Sequence, residues 1–176
     1  TPVNAQSTAQ NTVRNRFTTL SQGWRGLTTA QRDAWNAAVS DYARTDIFGD
    51  LKQPTGFNLY QRLNNNLVTV GEAAISVPPL PEAVGEVVAS SIAIAAGAAT
   101  MSLTMAGAVP ADTAVKVFAT APLSAGKSYV KSAYRLVAIL PAAEASPYNL
   151  KAEYIAKFGG IGVEGQQVFV KLTAVN

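Results

Sequence analysis

This chain of 176 residues contains no cysteine and no histidine. Without cysteine there is no disulfide framework, no thiolate nucleophile and no thiolate metal site, and compartment redox leaves no mark. Without histidine the commonest general base and the commonest metal ligand are missing. Together the two absences exclude Ser-His-Asp and Cys-His catalysis and almost every zinc arrangement. Charge is scarce as well: Asp, Glu, Lys and Arg make up 14% of the chain, where about 25% is usual. Ala, Thr, Ser and Val fill the deficit. Surfaces this short of charge are common where partners cover much of the molecule.

Long apolar runs are missing too. The most apolar stretch, Val84–Ala99, is interrupted by Glu86, Ser90, Ser91 and Gly97, too short and too polar to cross a bilayer. No membrane partner is expected. The start, TPVNAQSTAQN, has no basic flank leading into an apolar run, so it does not read as a secretory leader. A first residue of Thr1 fits either a removed initiator methionine or further residues upstream. The net charge of +3 is weak and evenly spread: residues 1–75 hold seven basic and five acidic groups, residues 76–176 seven and six. That is no nucleic-acid footprint.

What is present falls into two parts. Both tryptophans and six of the seven arginines lie between Arg14 and Arg62. After an extended arm over residues 1–6, Ser7 and Gln10 form a capping box. The helix that follows places Val13, Phe17, Leu20 and Trp24 on one stripe at spacings of four, three and four; Gly23 and Gly26 are expected to break it. Thr28 and Gln31 repeat the capping box, and a helix to about Ala43 should bury Trp35, Ala38, Val39 and Tyr42. Residues 44–52 (RTDIFGDLK) read as a connection. Pro54-Thr55-Gly56 then starts a third helix, Phe57–Val70, with Phe57, Tyr60, Leu63 or Asn64, Leu67 and Val70 on one face. A bundle of this size is marginal alone.

Ser76–Glu82 carries three of the nine prolines within four residues and reads as a semi-rigid spacer. Beyond it the period changes from 3.6 to 2. Met101, Leu103 and Met105 alternate with polar residues, Val115, Val117 and Ala119 repeat the pattern, and Ser128–Leu140 and Gln166–Val175 extend it. Asn149 caps a short helix, Leu150–Phe158, that ends at Gly159-Gly160. The expected fold is therefore α+β. A small N-terminal three-helix region (1–75) and a proline-rich linker (76–83) precede an antiparallel immunoglobulin-like or fibronectin-like β-sandwich (84–176).

Candidate sites are few. Ala125-Gly126-Lys127-Ser128 resembles the end of a phosphate loop, but the first glycine is missing and a strand follows, so a hairpin turn is expected. Gly159-Gly160-Ile161-Gly162 leaves a helix rather than entering one. Asp41, Asp46 and Asp50 match no calcium-loop spacing. The pairs Asp41/Asp46 and Glu82/Glu86 fall in expected loops or at a strand start, and nothing in the sequence argues for the cleft that glycosidic chemistry needs. No catalytic residue, cofactor, metal or small-molecule substrate is expected. Arg14, Arg16, Arg25, Arg32 and Arg62 with Trp24, Trp35, Phe57 and Tyr60 would suit nucleobase stacking. Their helical spacing instead favours an aromatic core rimmed by arginines paired with Asp33 and Asp41. Tryptophan and arginine are also favoured interface anchors, which makes Arg14, Phe17, Trp24, Arg25, Trp35, Phe57 and Tyr60 the candidate partner-docking set.

Three segments carry a resemblance: Arg14-x-Arg16-Phe17, Trp24-x-x-Leu27-Thr28-x-x-Gln31-Arg32-x-x-Trp35, and Gly56-Phe57-Asn58-Leu59-Tyr60. Over the first 70 or so residues the chain resembles uncharacterised proteins of phage and prophage structural regions, particularly of Bacteroidetes-type hosts. The β-rich part looks like the immunoglobulin-like modules appended to capsid and tail proteins. The resemblance implies a non-enzymatic virion component, a capsid decoration or head-tail accessory protein. Its partners would be other virion proteins in a symmetric homo-oligomer or capsid lattice. The alternative is a surface adhesion or carbohydrate-binding module, for which Tyr129, Tyr148 and Phe169 are the aromatic candidates.

Overall fold

In a computed structural model the described residues are 6–82, 87–94 and 100–176. The chain divides into two compact units, 1–82 and 83–176. Its described residues form four α-helices and several antiparallel sheets, a mixed α+β architecture.

In the N-terminal unit, α1 (Thr8–Gly26) and α2 (Thr29–Ala37) each start at a reciprocal capping box, Ser7 with Gln10 and Thr28 with Gln31. The expected break at Gly23 does not occur. Glycine inside a helix costs about 1 kcal/mol relative to alanine, yet a Cβ at Gly23 would lie 2.7 Å from the Tyr60 hydroxyl oxygen. The missing side chain is what admits Tyr60. α2 is shorter than expected and passes into a 3-10 turn, Ala38–Ser40.

The segment read as a plain connection is a small hairpin, β1 (Arg44–Thr45) against β2 (Leu51–Lys52). α3 (Gly56–Val70) is capped by the Thr55 hydroxyl. It closes at Gly71, whose φ of 94° is left-handed. The Glu72 N–H reaches the Leu67 carbonyl at 3.0 Å, the six-to-one bond of a Schellman ending.

Leu20, Trp35, Leu59 and Tyr60 form the core of this unit. Asn64 is fully buried, and its role is invisible in the sequence. Its amide donates to the Tyr60 and Ile75 carbonyls at 3.1 and 3.2 Å, and its Oδ1 accepts from the Ile75 N–H at 2.6 Å. One side chain thus satisfies both backbone groups of Ile75 in the segment that follows α3. Just beyond, the Trp35 indole donates to the Ser76 carbonyl at 2.9 Å and the Tyr42 hydroxyl to the Pro79 carbonyl at 2.7 Å. The segment expected as a spacer is therefore fastened along its first half to the helical unit.

In the C-terminal unit, β3 (Ala89–Ile94), β4 (Met101–Met105) and β8 (Tyr148–Asn149) form one sheet in the order β3-β4-β8. β5 (Ala114–Ala119), β7 (Arg135–Leu140) and β10 (Val170–Val175) form a second in the order β10-β5-β7. β6 (Leu123–Ser124) pairs with β9 (Gln166–Gln167). Met101, Leu103 and Met105 are buried in strict alternation, and with Val115, Val117, Ala138 and Leu140 they make one hydrophobic cluster fed by both larger sheets. α4 (Lys151–Phe158) contributes Tyr154.

Two strands are shorter than their alternation suggested. Residues 128–134 are not strand: 131–133 form a turn before β7, with the Ala133 N–H on the Val130 carbonyl. Residues 166–175 break between β9 and β10, and Thr120 spans the break. Its N–H donates to the Phe169 carbonyl and its hydroxyl accepts from the Phe169 N–H. The part of the expected β-rich domain at 84–86 and 95–99 lies outside the described residues.

Candidate docking surface

The aromatic residues of the N-terminal unit converge as the helical spacing requires. Trp35 meets Tyr60 edge-on with ring centroids 5.3 Å apart, Trp24 tilts onto Tyr60 at 5.4 Å, and Phe57 stands edge-on to Trp24 at 5.7 Å. These geometries suit the ring quadrupoles and add about 0.5–1.5 kcal/mol per pair beyond area burial.

Burial sorts the candidate docking set. Trp35 and Tyr60 are 0% and 3% exposed, so neither presents a surface, and their place in the set is corrected: the cluster consumes them. Burial also raises the Tyr60 pKa, consistent with a hydroxyl turned inward against Gly23. Trp24 and Phe57 are half-buried at the edge of the cluster, while Arg14, Phe17 and Arg25 are exposed.

The stripe on α1 is cut in two. Leu20 and Trp24 face α3, whereas Val13 and Phe17 are 63% and 56% exposed. The reason is register. Arg16 donates to the Asn65 and Thr69 side chains near the C-terminal end of α3, and Ser21 accepts from Gln61. Trp24 meets Phe57 near the other end of α3. The two helices are therefore antiparallel, and the turns of α1 before Arg16, with Val13, run on past the end of α3; Phe17, between Arg16 and Ser21, lies within the overlap and is exposed nonetheless.

The expected pairing of rim arginines with Asp33 and Asp41 takes other forms. Arg16 binds α3 as described. Arg62 sits 5.8 Å from the Tyr42 ring centroid and donates to the Tyr42 carbonyl. Its Nε is buried without a hydrogen-bond partner, and burial, then the nearby Arg44, lowers its pKa.

The two most exposed large apolar side chains among the described residues were missed from sequence. At the tip of the β1–β2 hairpin Ile47 and Phe48 are 92% and 83% exposed, with Leu51 beside them. Asp46, weighed above as a calcium ligand, builds this tip: its Oδ1 accepts from the Phe48 and Asp50 N–H groups at 2.8 and 3.0 Å. Its other oxygen lies 3.8 Å from the Lys52 ammonium. A signal existed, since turn centres favour Gly, Asn, Asp and Pro and Ile-Phe there is anomalous.

No protein-family model matches this chain, and comparison with curated proteins and with solved structures returned no match either.

The remaining motifs resolve as local structure. The Lys127 N–H donates to the Ser124 carbonyl in a tight turn, and the next helix begins only at Lys151, so no helix N-terminus meets Gly126-Lys127. Gly159 ends α4 in the left-handed region at φ 83°. Among the described residues no group of three or more acidic side chains is placed to hold a metal ion, and no helix is long and apolar enough to cross a membrane.

In the C-terminal unit an open groove of about 580 Å³ is lined by Ile92, Ile94, Ile161 and Val168 among others. It has no aromatic ring on which a sugar could stack. Of the three aromatics considered for glycans, Tyr129 is 74% exposed, whereas Tyr148 and Phe169 are half-buried. Tyr148 donates to Glu153 at 2.8 Å, and burial together with that bond pushes its pKa up to about 12.

Proposed function

We propose that this chain is a non-enzymatic structural protein of a phage virion, a capsid decoration or head-tail accessory protein. Its N-terminal unit docks on the particle, and its C-terminal unit is an immunoglobulin-like or fibronectin-like sandwich presented by that unit. The observation that carries the reading is the exposure of large apolar side chains in groups on the N-terminal unit, Val13 with Phe17 and Ile47 with Phe48. Grouped exposed apolar residues mark interaction sites more often than scattered ones do. The low charge content and the resemblance of the Trp24–Trp35 and Gly56–Tyr60 segments to phage structural proteins point the same way.

Docking follows the helix-in-groove mode, with Val13 and Phe17 as anchors at i and i+4. Arg14 and Arg25 lie on the exposed side of α1, and Trp24 and Phe57 contribute only their outer edges. The interior pair, Trp35 and Tyr60, holds the scaffold. The adhesion or carbohydrate-binding alternative rests on Tyr129, and the residues that line the groove of the C-terminal unit include no aromatic ring.

The test is to purify particles from the source of the chain on a density gradient and quantify the chain by mass spectrometry. A fixed copy number banding with the particles is expected. Its absence from intact particles, with glycan-array binding by the full chain, would replace this reading with the alternative.

A further inference from the structure

We infer that the β1–β2 hairpin tip is a self-association site, taken up by the same tip of a second copy about a two-fold axis. The tip is a built feature. Besides the two bonds to Asp46 Oδ1, the Asp46 N–H donates to the Asp50 carbonyl at 2.8 Å and the Gly49 N–H to the Asp46 carbonyl at 3.2 Å. Gly49 takes the left-handed φ of 91° that the turn needs. Four hydrogen bonds thus hold a loop whose two central side chains point into water. A surface held in its binding conformation loses little entropy on docking.

Charge decides the occupant. The hairpin carries Arg44 and Lys52 against Asp46 and Asp50, two positive and two negative groups, with Lys52 lying 3.4 Å from Asp50 and 3.8 Å from Asp46. Its net charge is zero. An anionic lipid surface needs a basic excess, which is missing here. A two-fold contact sets a patch against itself, and a neutral patch with both signs is its own complement. The exposed stripe of α1 fails that criterion, because the helix carries Arg14, Arg16 and Arg25 and no acidic residue. Two copies of that helix would repel.

Area sets the strength. Ile47, Phe48 and Leu51 together offer on the order of 400 Å² of apolar surface, against about 800 Å² per partner in a stable interface. The contact is therefore weak in free solution and becomes effective when the chains are held close on a common surface.

The inference deepens the assembly reading and rests on it, but its test is separate. Sedimentation velocity of the full chain across a concentration series should show a reversible monomer–dimer equilibrium with no larger species. Phe48→Ser together with Ile47→Ser should weaken it at least about tenfold. Charge variants separate pairing from folding. Asp50→Lys leaves the hairpin at +2 and Lys52→Asp leaves it at −2, each relative to a starting value of zero. Each variant alone should be monomeric, and an equimolar mixture should dimerise.

A monomer at all concentrations, unaltered association in the Ile47/Phe48 variant, or no pairing in the mixture overturns the inference. So does a chain that stays monomeric while binding neutral phosphatidylcholine vesicles. Each of these results leaves particle incorporation, measured by mass spectrometry, where it stood.

Discussion

The two units bury apolar side chains in different ways. The C-terminal unit builds its core from alternating aliphatic residues on paired strands, and the exposed large apolar residues among its described residues, Val88, Tyr129, Ile139, Ile155 and Val163, lie far apart in sequence. The N-terminal unit concentrates its interior on two rings, Trp35 and Tyr60, and leaves Val13 with Phe17 and Ile47 with Phe48 in water. Strands in a sheet can satisfy their apolar faces inside one chain. The helices of the N-terminal unit do not enclose all of theirs, and Val13 and Phe17 of α1 stay exposed.

The sharpest way to break this contrast is at Trp35. Replacing it with alanine empties the centre of the N-terminal core and should remove about 3–5 kcal/mol, read as a lower urea midpoint in the fluorescence of Trp24. A loss below about 1 kcal/mol would mean that the ring cluster is not the core it looks like.

A second, smaller effect is expected at Asn64. Asn64→Leu leaves both backbone groups of Ile75 without their partner and should cost about 2–3 kcal/mol by the same measurement. In the C-terminal unit Thr120→Val removes the acceptor of the Phe169 N–H and should cost about 1–2 kcal/mol, seen in the β-sheet circular dichroism with the tryptophan fluorescence, which comes from Trp24 and Trp35 of the N-terminal unit, unmoved. A matching shift in that fluorescence would erase the distinction between the units.

Alkali should also act on the C-terminal unit. Burial pushes the Tyr154 pKa up to about 12, and its hydroxyl donates to the Thr120 carbonyl at 2.7 Å. The folded form therefore holds this proton more tightly than the unfolded chain, whose tyrosines ionise near 10. Stability from this group is complete below pH 10 and is lost as pH rises toward 12. Tyr154→Phe should flatten that decline in urea midpoints, and an unchanged slope would show that another group sets it.

The smallest effect on stability is expected at the exposed pair. Val13→Ser with Phe17→Ser should shift the urea midpoint by no more than about 0.5 kcal/mol while lowering incorporation into particles. A large loss of stability would place this pair in the core.

Features written in local spacing were legible from sequence: the capping boxes at Ser7 and Thr28, the start of α3, the alternation through Met101–Met105 and the helix before Gly159. Features that depend on what lies opposite were not. The α1 stripe announces a face but neither where α3 ends nor how much of that face it covers, so Val13 and Phe17 read like Leu20. Asn64 and Thr120 act on backbone 11 and 49 residues away, beyond any periodicity. Two-residue strands have no period, so the β1–β2 tip read as a connection. Trp35 and Tyr60 were placed correctly on a stripe, but their burial leaves them no surface to dock with.

Hydroxyl-radical footprinting of the full chain, free and within purified particles, tests the central claim most directly. Phe17 and Phe48 should oxidise readily in the free chain and be protected in the particle, while Trp35 and Tyr60 stay unreactive in both. Equal oxidation of Phe17 and Phe48 in the two states would contradict docking through the uncovered side chains of the N-terminal unit.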